Sequence, residues 1–157
     1  MEHPAAGYNR ALRSSDPVEA FDNLVVAAEN GCIRAQFLMG LAYHTGRGVP
    51  VNYERAAHWY SRAAGSGDGH AIANLGVMRL LGQGAPADDL EAYGWVQSAV
   101  GLGHEWLRPA LQVLERRITG GQEPADAARI LAEIAAESPA LGPCTQSGCD
   151  PSRCSVV

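Results

Sequence analysis

The chain contains no lysine, so all 12 of its basic side chains are arginine. These arginines are scattered among 17 acidic residues, the formal net charge is −5, and Arg116–Arg117 is the only adjacent basic pair. A phosphate-binding surface needs clustered basic side chains. The composition therefore argues against a nucleic-acid partner. The missing lysine, together with abundant alanine and glycine, also suggests a GC-rich bacterial genome.

Long apolar runs are also missing. No stretch approaches the roughly 18 consecutive apolar residues that span a bilayer, so we expect no membrane span. The N-terminal residues lack a basic start followed by an apolar core, which indicates no signal peptide and predicts a cytoplasmic protein. A misplaced start codon would hide such a signal and allow export instead. At 157 residues the chain suits one domain with a sizeable core.

Motifs for metal binding or catalysis are not evident. The five histidines pair with no Asp or Cys in a recognised motif, and three of the four cysteines, at 144, 149 and 154, are spaced five apart instead of forming a CxxC hook. The segments TGRGVP and LGQGAP lack the Lys-Ser/Thr pair of a nucleotide-binding loop. We therefore expect no metal, no cofactor and no catalytic centre.

What the chain does contain is an internal repeat with a period of 36 residues. The residues that recur at this offset are Ala27, Ala63 and Ala99; Gly31, Gly67 and Gly103; Gly40 and Gly76; Gly46 and Gly82; and Trp59 and Trp95. A period of about 20 to 50 residues is typical of a solenoid whose repeats pack on their neighbours.

Each repeat is predicted to form two helices. Apolar residues from Ala35 to Tyr43 recur at steps of three and four, which predicts a helix over 33–45. The segment TGRGVPVN then breaks the helix, because it holds two glycines and a proline. A second helix is predicted to begin near Asn52 and to stop at Gly67. Asn52 and its equivalents Asp16 and Asp88 are residue types that cap helix N-termini, and Glu19 and Glu91 suggest capping boxes.

Glycine inside a helix indicates close packing. Gly40 and Gly76 each give up about 1 kcal/mol of helix propensity relative to alanine, a cost that is tolerated where another helix approaches closely. We expect Trp59 and Trp95 to fill the core between successive repeats.

The pattern A-x3-[LM]-G-x2-Y-x2-G-x-G-V-x6-A-x2-W-Y-x2-A-A-x2-G resembles the Sel-1-like repeat, a relative of the tetratricopeptide repeat with a longer loop between its helices. Residues 35–67 match it at nearly every position. Residues 71–103 depart from it at Arg79, Ala85 and Val96. The third repeat, from Leu107, lacks the Leu-Gly pair and the tryptophan and suggests a degenerate cap. The resemblance covers about residues 16–137.

Repeat and resemblance together predict an all-α fold, an α-solenoid of about seven antiparallel helices in an α/α superhelix. Residues 1–15 are expected to be a flexible N-terminal arm or a partial cap, and residues 16–137 to form the array. The segment 138–157, rich in Pro, Gly, Ser and Cys, is expected to be disordered.

The resemblance implies a non-catalytic interaction module, an adaptor or regulator that binds a protein or peptide on the concave face lined by the first helix of each repeat. The positions carried over to that face are Arg34, Phe37, Leu41, His44, His70, Ala73, Val77, Leu80, Trp106, Val113, Arg116 and Arg117. Leu41, Val77 and Leu80 could equally be core residues. The alternative is a hydrolase similar to that claimed for cysteine-rich helical relatives, although their paired cysteines are missing here. The sequence does not indicate an oligomeric state.

Overall fold

The computed structural model describes residues 4–137, and within that range it contains eight α-helices, one 3-10 helix and no β-strand. The helices are α1 Pro4–Arg13, α2 Pro17–Glu29, α3 Ile33–Thr45, α4 Tyr53–Gly65, α5 Gly69–Leu81, α6 Asp89–Gly101, the 3-10 helix Glu105–Leu107, α7 Arg108–Ile118 and α8 Ala127–Glu137. The prediction of an all-α fold is confirmed. None of these helices is long and apolar enough to cross a membrane.

The described chain divides into two compact units between Asp68 and Gly69. The first unit holds α1 to α4, and the second holds α5 to α8. Consecutive helices pack against each other inside each unit, as expected for helices joined by short loops. The division falls at the border between the first repeat, formed by α3 and α4, and the second repeat, formed by α5 and α6.

Helix α1 is the element that raises the expected seven helices to eight. It packs against α2, where Ala11 is buried and Gly7 lies so close that an added Cβ would be 2.9 Å from the carbonyl oxygen of Asn23. The N-terminal stretch therefore forms a packed helix instead of a flexible arm, which matches the partial-cap alternative. The predicted disordered tail lies outside the described residues.

The predicted helix starts are confirmed at three equivalent positions. The side chains of Asp16, Asn52 and Asp88 each accept a hydrogen bond at 2.9 Å from a backbone N–H in the first turn of α2, α4 and α6. These bonds satisfy N–H groups that have no partner inside the helix. The helices that follow begin at the same point in each period.

The reciprocal half of the expected capping boxes is not formed. The backbone N–H of Asp16 donates to Ser14 Oγ at 3.2 Å, and that of Asp88 donates to the carbonyl oxygen of Arg79 at 3.3 Å. The carboxylates of Glu19 and Glu91 are therefore available for other contacts, and Glu91 uses this freedom in an ion pair described below.

The turns after the first helices need glycine for two different reasons. Gly46 and Gly82 end α3 and α5 with φ values of 76° and 70°, in the left-handed region that side chains rarely adopt. Gly48, with φ of 78°, also lies so close to α2 that a Cβ would collide with the carbonyl oxygen of Pro17. The glycines of TGRGVP thus serve the turn and its packing.

The core between the two helices of each repeat is filled by the residue that follows the tryptophan. Tyr60 is fully buried against Gly40 in the first repeat, and Val96 is fully buried against Gly76 in the second. Trp59 and Trp95 are only half-buried. The residue that fills the core inside each repeat therefore lies one position after the tryptophan, which is a rotation of about 100° around the helix. That the tryptophans fill the core between successive repeats stays a prediction.

Candidate interaction surfaces

The predicted binding residues of the first unit divide into buried and accessible side chains. Phe37 is 1% exposed and packs on the Tyr60 ring at 5.7 Å between centroids. His44 is 8% exposed and meets Tyr53 and Tyr60 edge to face. Both belong to the core of the unit. Arg34 and Leu41 are half-buried, so part of each side chain is exposed.

The second unit shows the same division. The buried members of the predicted set are Ala73, Val77, Leu80 and Val113. The first three pack in the apolar core of the unit, together with Ala92, Val96 and Leu107. They therefore lie in the core, which agrees with the alternative that Val77 and Leu80 are core residues.

The remaining members in the second unit are half-buried or exposed, although Nδ1 of His70 and Nε1 of Trp106 are themselves buried. His70 and Trp106 are half-buried, and Arg116 is exposed. Arg117 is half-buried and ion-paired, with Nη1 at 3.6 Å from Asp89 Oδ1 and Nε in a short contact with Glu123 Oε1. Arg117 therefore already has its acidic partners within the fold, whereas Arg116 has no ion pair among residues 4–137.

His70 forms a ring contact with His104, with centroids 5.0 Å apart and the planes at 73°. His104 is buried at the start of the 3-10 helix, and a Cβ at Gly69 would lie 3.1 Å from its Nε2. Within the described range no group of three His, Cys, Asp or Glu side chains could hold a metal ion. The two rings pack against each other within the second unit.

Three of the four arginines of the first repeat are stacked on aromatic rings instead of being ion-paired. The Cζ atoms of Arg34, Arg55 and Arg62 lie 4.6, 5.6 and 4.8 Å from the ring centroids of Phe37, Tyr43 and Trp59. Within residues 4–137 neither these three nor Arg47, the fourth arginine of the repeat, forms an ion pair. Stacking uses the face of a guanidinium and leaves the N–H donors at its edge available.

The second unit neutralises four of its five arginines. Arg79, Arg108, Arg117 and Arg129 are all ion-paired with acidic side chains. Sequence reasoning missed this contrast, although a charge count by repeat gives a signal. Residues 33–68 hold four arginines against Glu54 and Asp68, a net +2, and residues 69–104 hold Arg79 against Asp88, Asp89 and Glu91, a net −2.

One pair of equivalent positions shows how this contrast arises. In the first repeat Arg55 Nη1 donates to Tyr43 Oη at 3.1 Å, and its guanidinium lies over the Tyr43 ring. In the second repeat the same two positions hold Arg79 and Glu91, whose Nε and Oε1 are 3.0 Å apart. The arginine that replaces the repeat tyrosine is therefore explained by the glutamate opposite it.

These helix pairs, with a left-handed glycine after the first helix and an Asx cap before the second, define a tandem helical-repeat protein. The Sel1 repeat family model matches residues 33–68 and 69–104. The chain therefore contains two Sel1 repeats, and their limits coincide with the two repeats built by α3 to α6.

Two curated proteins show this similarity over part of their length. The chain is 42% identical over 62 residues to the ERAD-associated E3 ubiquitin-protein ligase component HRD3A of Arabidopsis thaliana, which covers 40% of this chain and 9% of that protein. It is 43% identical over 60 residues to the chitin synthase regulator SKT5 of Saccharomyces cerevisiae, which covers 38% of this chain and 9% of that protein. The chain thus spans about a tenth of these relatives.

Two solved structures share the fold. A Sel1 repeat protein from Oxalobacter formigenes has a TM-score of 0.65 and 32% identity, with 69% of this chain and 34% of that chain covered. A protective antigen of uropathogenic Escherichia coli that displays an SLR fold has a TM-score of 0.67 and 28% identity, with 89% of this chain and 31% of that chain covered. The predicted solenoid-type fold class is therefore confirmed.

Proposed function

We propose that the chain is a non-catalytic interaction module that binds a protein or peptide, as an adaptor or regulator, and that it works in the cytoplasm. The proposal is supported by the two Sel1 repeats and by the similar proteins, one named as a ligase component and the other as a synthase regulator. Extended helical-repeat surfaces commonly bind peptides and protein surfaces. Nothing in the described residues favours the hydrolase alternative.

We propose that binding uses the accessible members of the predicted face, each within its own unit. In the first unit these are Arg34 and Leu41 on α3. In the second unit they are His70, Trp106 and Arg116. The buried members Phe37 and Val77 support this face from below without touching a partner.

The observation that carries the proposal is the state of Arg34. Its guanidinium lies 4.6 Å from the Phe37 ring centroid, and its Nη1 is buried without a hydrogen-bond acceptor among residues 4–137. The rest of the side chain is half-buried and forms no ion pair among residues 4–137, so a partner carboxylate that reached the accessible edge of the guanidinium would gain a charge-assisted hydrogen bond. Leu41, about two turns along α3, would supply apolar contact beside it.

The test is affinity purification followed by calorimetry on purified variants. A partner recovered from the native cell is titrated into the wild-type chain and into Arg34→Ala and Arg116→Ala. We expect each variant to weaken binding by about 1 to 3 kcal/mol, as anchor residues do. The control is Arg13→Ala, which removes the same charge at an exposed position on α1 and should change binding by less than about 0.5 kcal/mol.

Equal affinity of the wild-type chain and both variants would contradict the proposed face. Catalytic turnover of a hydrolase substrate that survives repeated purification would contradict the non-catalytic assignment itself.

A further inference from the structure

The outer face of α4 carries four side chains in a row, Arg55, His58, Trp59 and Arg62, which we name the α4 stripe. Their spacing of three, four and seven residues puts them on one side of a helix. Arg55, His58 and Arg62 are exposed, and Trp59 is half-buried. This side of α4 differs from the side that packs Ala56, Tyr60 and Ala63 into the core.

The α4 stripe is held together by contacts between its own members. The Arg62 guanidinium stacks over the Trp59 ring at 4.8 Å, and the His58 ring meets Trp59 edge to face at 5.7 Å between centroids. Arg55 is anchored separately, by its hydrogen bond to Tyr43 Oη. Side chains that are ordered before binding lose less conformational entropy on contact with a partner.

The polar groups of the α4 stripe have few partners inside the fold. Within residues 4–137 neither Arg55 nor Arg62 forms an ion pair, although Glu54 lies on the same helix. The Trp59 indole N–H likewise donates to no acceptor in that range. The stripe therefore presents two positive charges and an indole donor to the outside.

In the second repeat, the polar groups near the equivalent tryptophan have hydrogen-bond and ion-pair partners within the fold. Trp95 Nε1 donates to Glu91 Oε1 at 3.4 Å, and Glu91 also pairs with Arg79. The equivalents of His58 and Arg62 are Gly94 and Ser98, neither of which carries a charge. The tryptophan is common to both repeats, but only the first repeat surrounds it with unneutralised cations.

We propose that the α4 stripe is a second interaction surface, which binds an acidic peptide segment of a partner protein. A carboxylate would accept from the edge donors of Arg62 while the guanidinium stays on the indole, and a second carboxylate farther along the same segment would reach Arg55, about two helical turns away. A carbonyl or carboxylate oxygen would accept from Trp59 Nε1. We choose an acidic partner because its negative charge would complement the net charge of +2 on the first repeat.

The α4 stripe is distinct from the proposed binding residues Arg34 and Leu41 on α3, and it is tested with different variants. A nucleic acid is the less suitable anion, because the whole chain has a net charge of −5 and the stripe offers two phosphate contacts. A second copy of the chain, through the acidic second repeat, is the other candidate occupant. The experiment separates both from an acidic peptide.

The probe is a panel of fluorescein-labelled peptides of about ten residues that combine Glu or Asp with Leu or Tyr at varied spacing. Each has a matched version with Gln or Asn in place of the acidic residues. Binding to the full chain is measured by fluorescence anisotropy at about 50 and 200 mM salt. We expect the best acidic peptide to bind at least about tenfold more tightly than its amide version.

The variants are Arg62→Gln, Trp59→Phe and the control Arg13→Gln, which loses the same charge from an exposed position in the same unit that forms no ion pair within residues 4–137. We expect Arg62→Gln to weaken acidic-peptide binding about tenfold, Trp59→Phe to weaken it by a smaller factor, and Arg13→Gln to stay within about twofold of wild type. Far-UV circular dichroism and thermal unfolding show that each variant is folded.

Several outcomes would overturn the inference. These are equal binding of acidic and amide peptides, equal loss from Arg62→Gln and Arg13→Gln, preference for a single-stranded oligonucleotide of similar length, and concentration-dependent self-association that Arg62→Gln abolishes. If Arg34→Ala weakens the acidic peptide and Arg62→Gln does not, the peptide lies on α3, so the α4 stripe falls while the interaction function stands.

Discussion

Gly40 and Tyr60 are in direct contact across the first repeat, because a Cβ built on Gly40 would lie 2.5 Å from Cδ1 of the Tyr60 ring. The ring is fully buried and cannot turn aside without disturbing Phe37 and His44, which pack on it. The glycine thus sets the distance between α3 and α4. Gly76 does the same in the second repeat, where a Cβ would lie 2.8 Å from Val96 Cγ2.

Gly40→Ala should destabilise the protein, because the added methyl group forces the Tyr60 ring or the helix pair to shift. Overpacking of this kind costs about 1 to 3 kcal/mol, which exceeds the gain of about 1 kcal/mol in helix propensity. Urea unfolding followed by circular dichroism measures the change. Gly65→Ala is the matched control, since Gly65 is helical and has no atom within 4 Å of an added Cβ. It should leave stability unchanged or raise it, and a loss equal to that of Gly40→Ala would refute the steric account.

Tyr60→Phe should leave stability at neutral pH unchanged within about 1 kcal/mol or raise it. The Tyr60 hydroxyl is buried without a hydrogen-bond partner among residues 4–137, so its removal ends a desolvation cost. Chemical denaturation at pH 7 gives the comparison. A loss well above 1 kcal/mol would show that the hydroxyl has a partner that stabilises it.

The same residue predicts an alkaline loss of stability. Burial, with a smaller effect of the Asp68 carboxylate, raises the pKa of Tyr60 well above its ordinary value of 10.0. Below pH 10 the phenol is neutral in both states and its contribution is complete. Above pH 10 the unfolded chain loses the proton while the folded chain keeps it, so stability falls with rising pH, by up to about 1.4 kcal/mol per pH unit.

We therefore expect Tyr60→Phe to lose less stability than the wild-type chain between about pH 10 and 11. The control is Tyr53→Phe, at a position that is 38% exposed; it keeps Tyr60 and should retain that residue's contribution to the alkaline loss. Urea titrations at several pH values measure the slopes. Identical slopes for the wild-type chain and Tyr60→Phe would contradict the prediction.

Tyr60→Ala should cost more than Trp59→Ala, although tryptophan is the larger side chain. Tyr60 is fully buried, and its truncation leaves a cavity in the core, with an expected loss of about 3 to 5 kcal/mol. Trp59 is half-buried and stacks on Arg62 at the surface, so we expect a smaller loss. Denaturant titration ranks the two variants, and the reverse order would place Trp59 in the core.

Replacing Arg79 by Tyr and Glu91 by Arg together, which are the residues of the Tyr43–Arg55 pair, should be tolerated better than either change alone. Arg79→Tyr alone leaves Glu91 without its ion pair, and Glu91→Arg alone puts two arginines together. Because the pair is partly exposed, each change should cost about 1 kcal/mol or less. The double variant rebuilds the Tyr43–Arg55 contact, so its loss should fall below the sum of the single losses. A double-mutant cycle measures the coupling, and strict additivity would contradict it.

The sequence predicted the helices well where local signals are strong. The limits of α3 agree with prediction because Gly46 fixes its end, and α2 starts directly after Asp16, the residue that was predicted to cap it. α1 was missed because its PAAGYNRALR sequence holds a glycine and only two large apolar residues, Tyr8 and Leu12, and it is stabilised by packing on α2. Helix propensity, which is all that the local sequence provides, does not include the stabilisation that comes from packing on α2.

The candidate surface was predicted less well, for a related reason. Spacing identifies which residues share a helix face, but it does not tell which face another helix covers. Phe37 and Val77 follow the spacing of the predicted face, yet both are covered by neighbouring helices. For the same reason the sequence does not show that Tyr60, and not Trp59, fills the core inside the first repeat. Two adjacent aromatic residues differ only in the direction in which they leave the helix axis.

The pairs Tyr43–Arg55 and Arg79–Glu91 each lie entirely inside one repeat, and this has a consequence for protein engineering. A block of residues 33–68 or 69–104 can be duplicated or transplanted with its own pair intact, whereas point changes at one of the two positions separate the partners. Libraries built on this scaffold should therefore randomise the two positions jointly. Within one such block, the choice between a tyrosine–arginine and an arginine–glutamate pair would tune surface charge without moving the backbone.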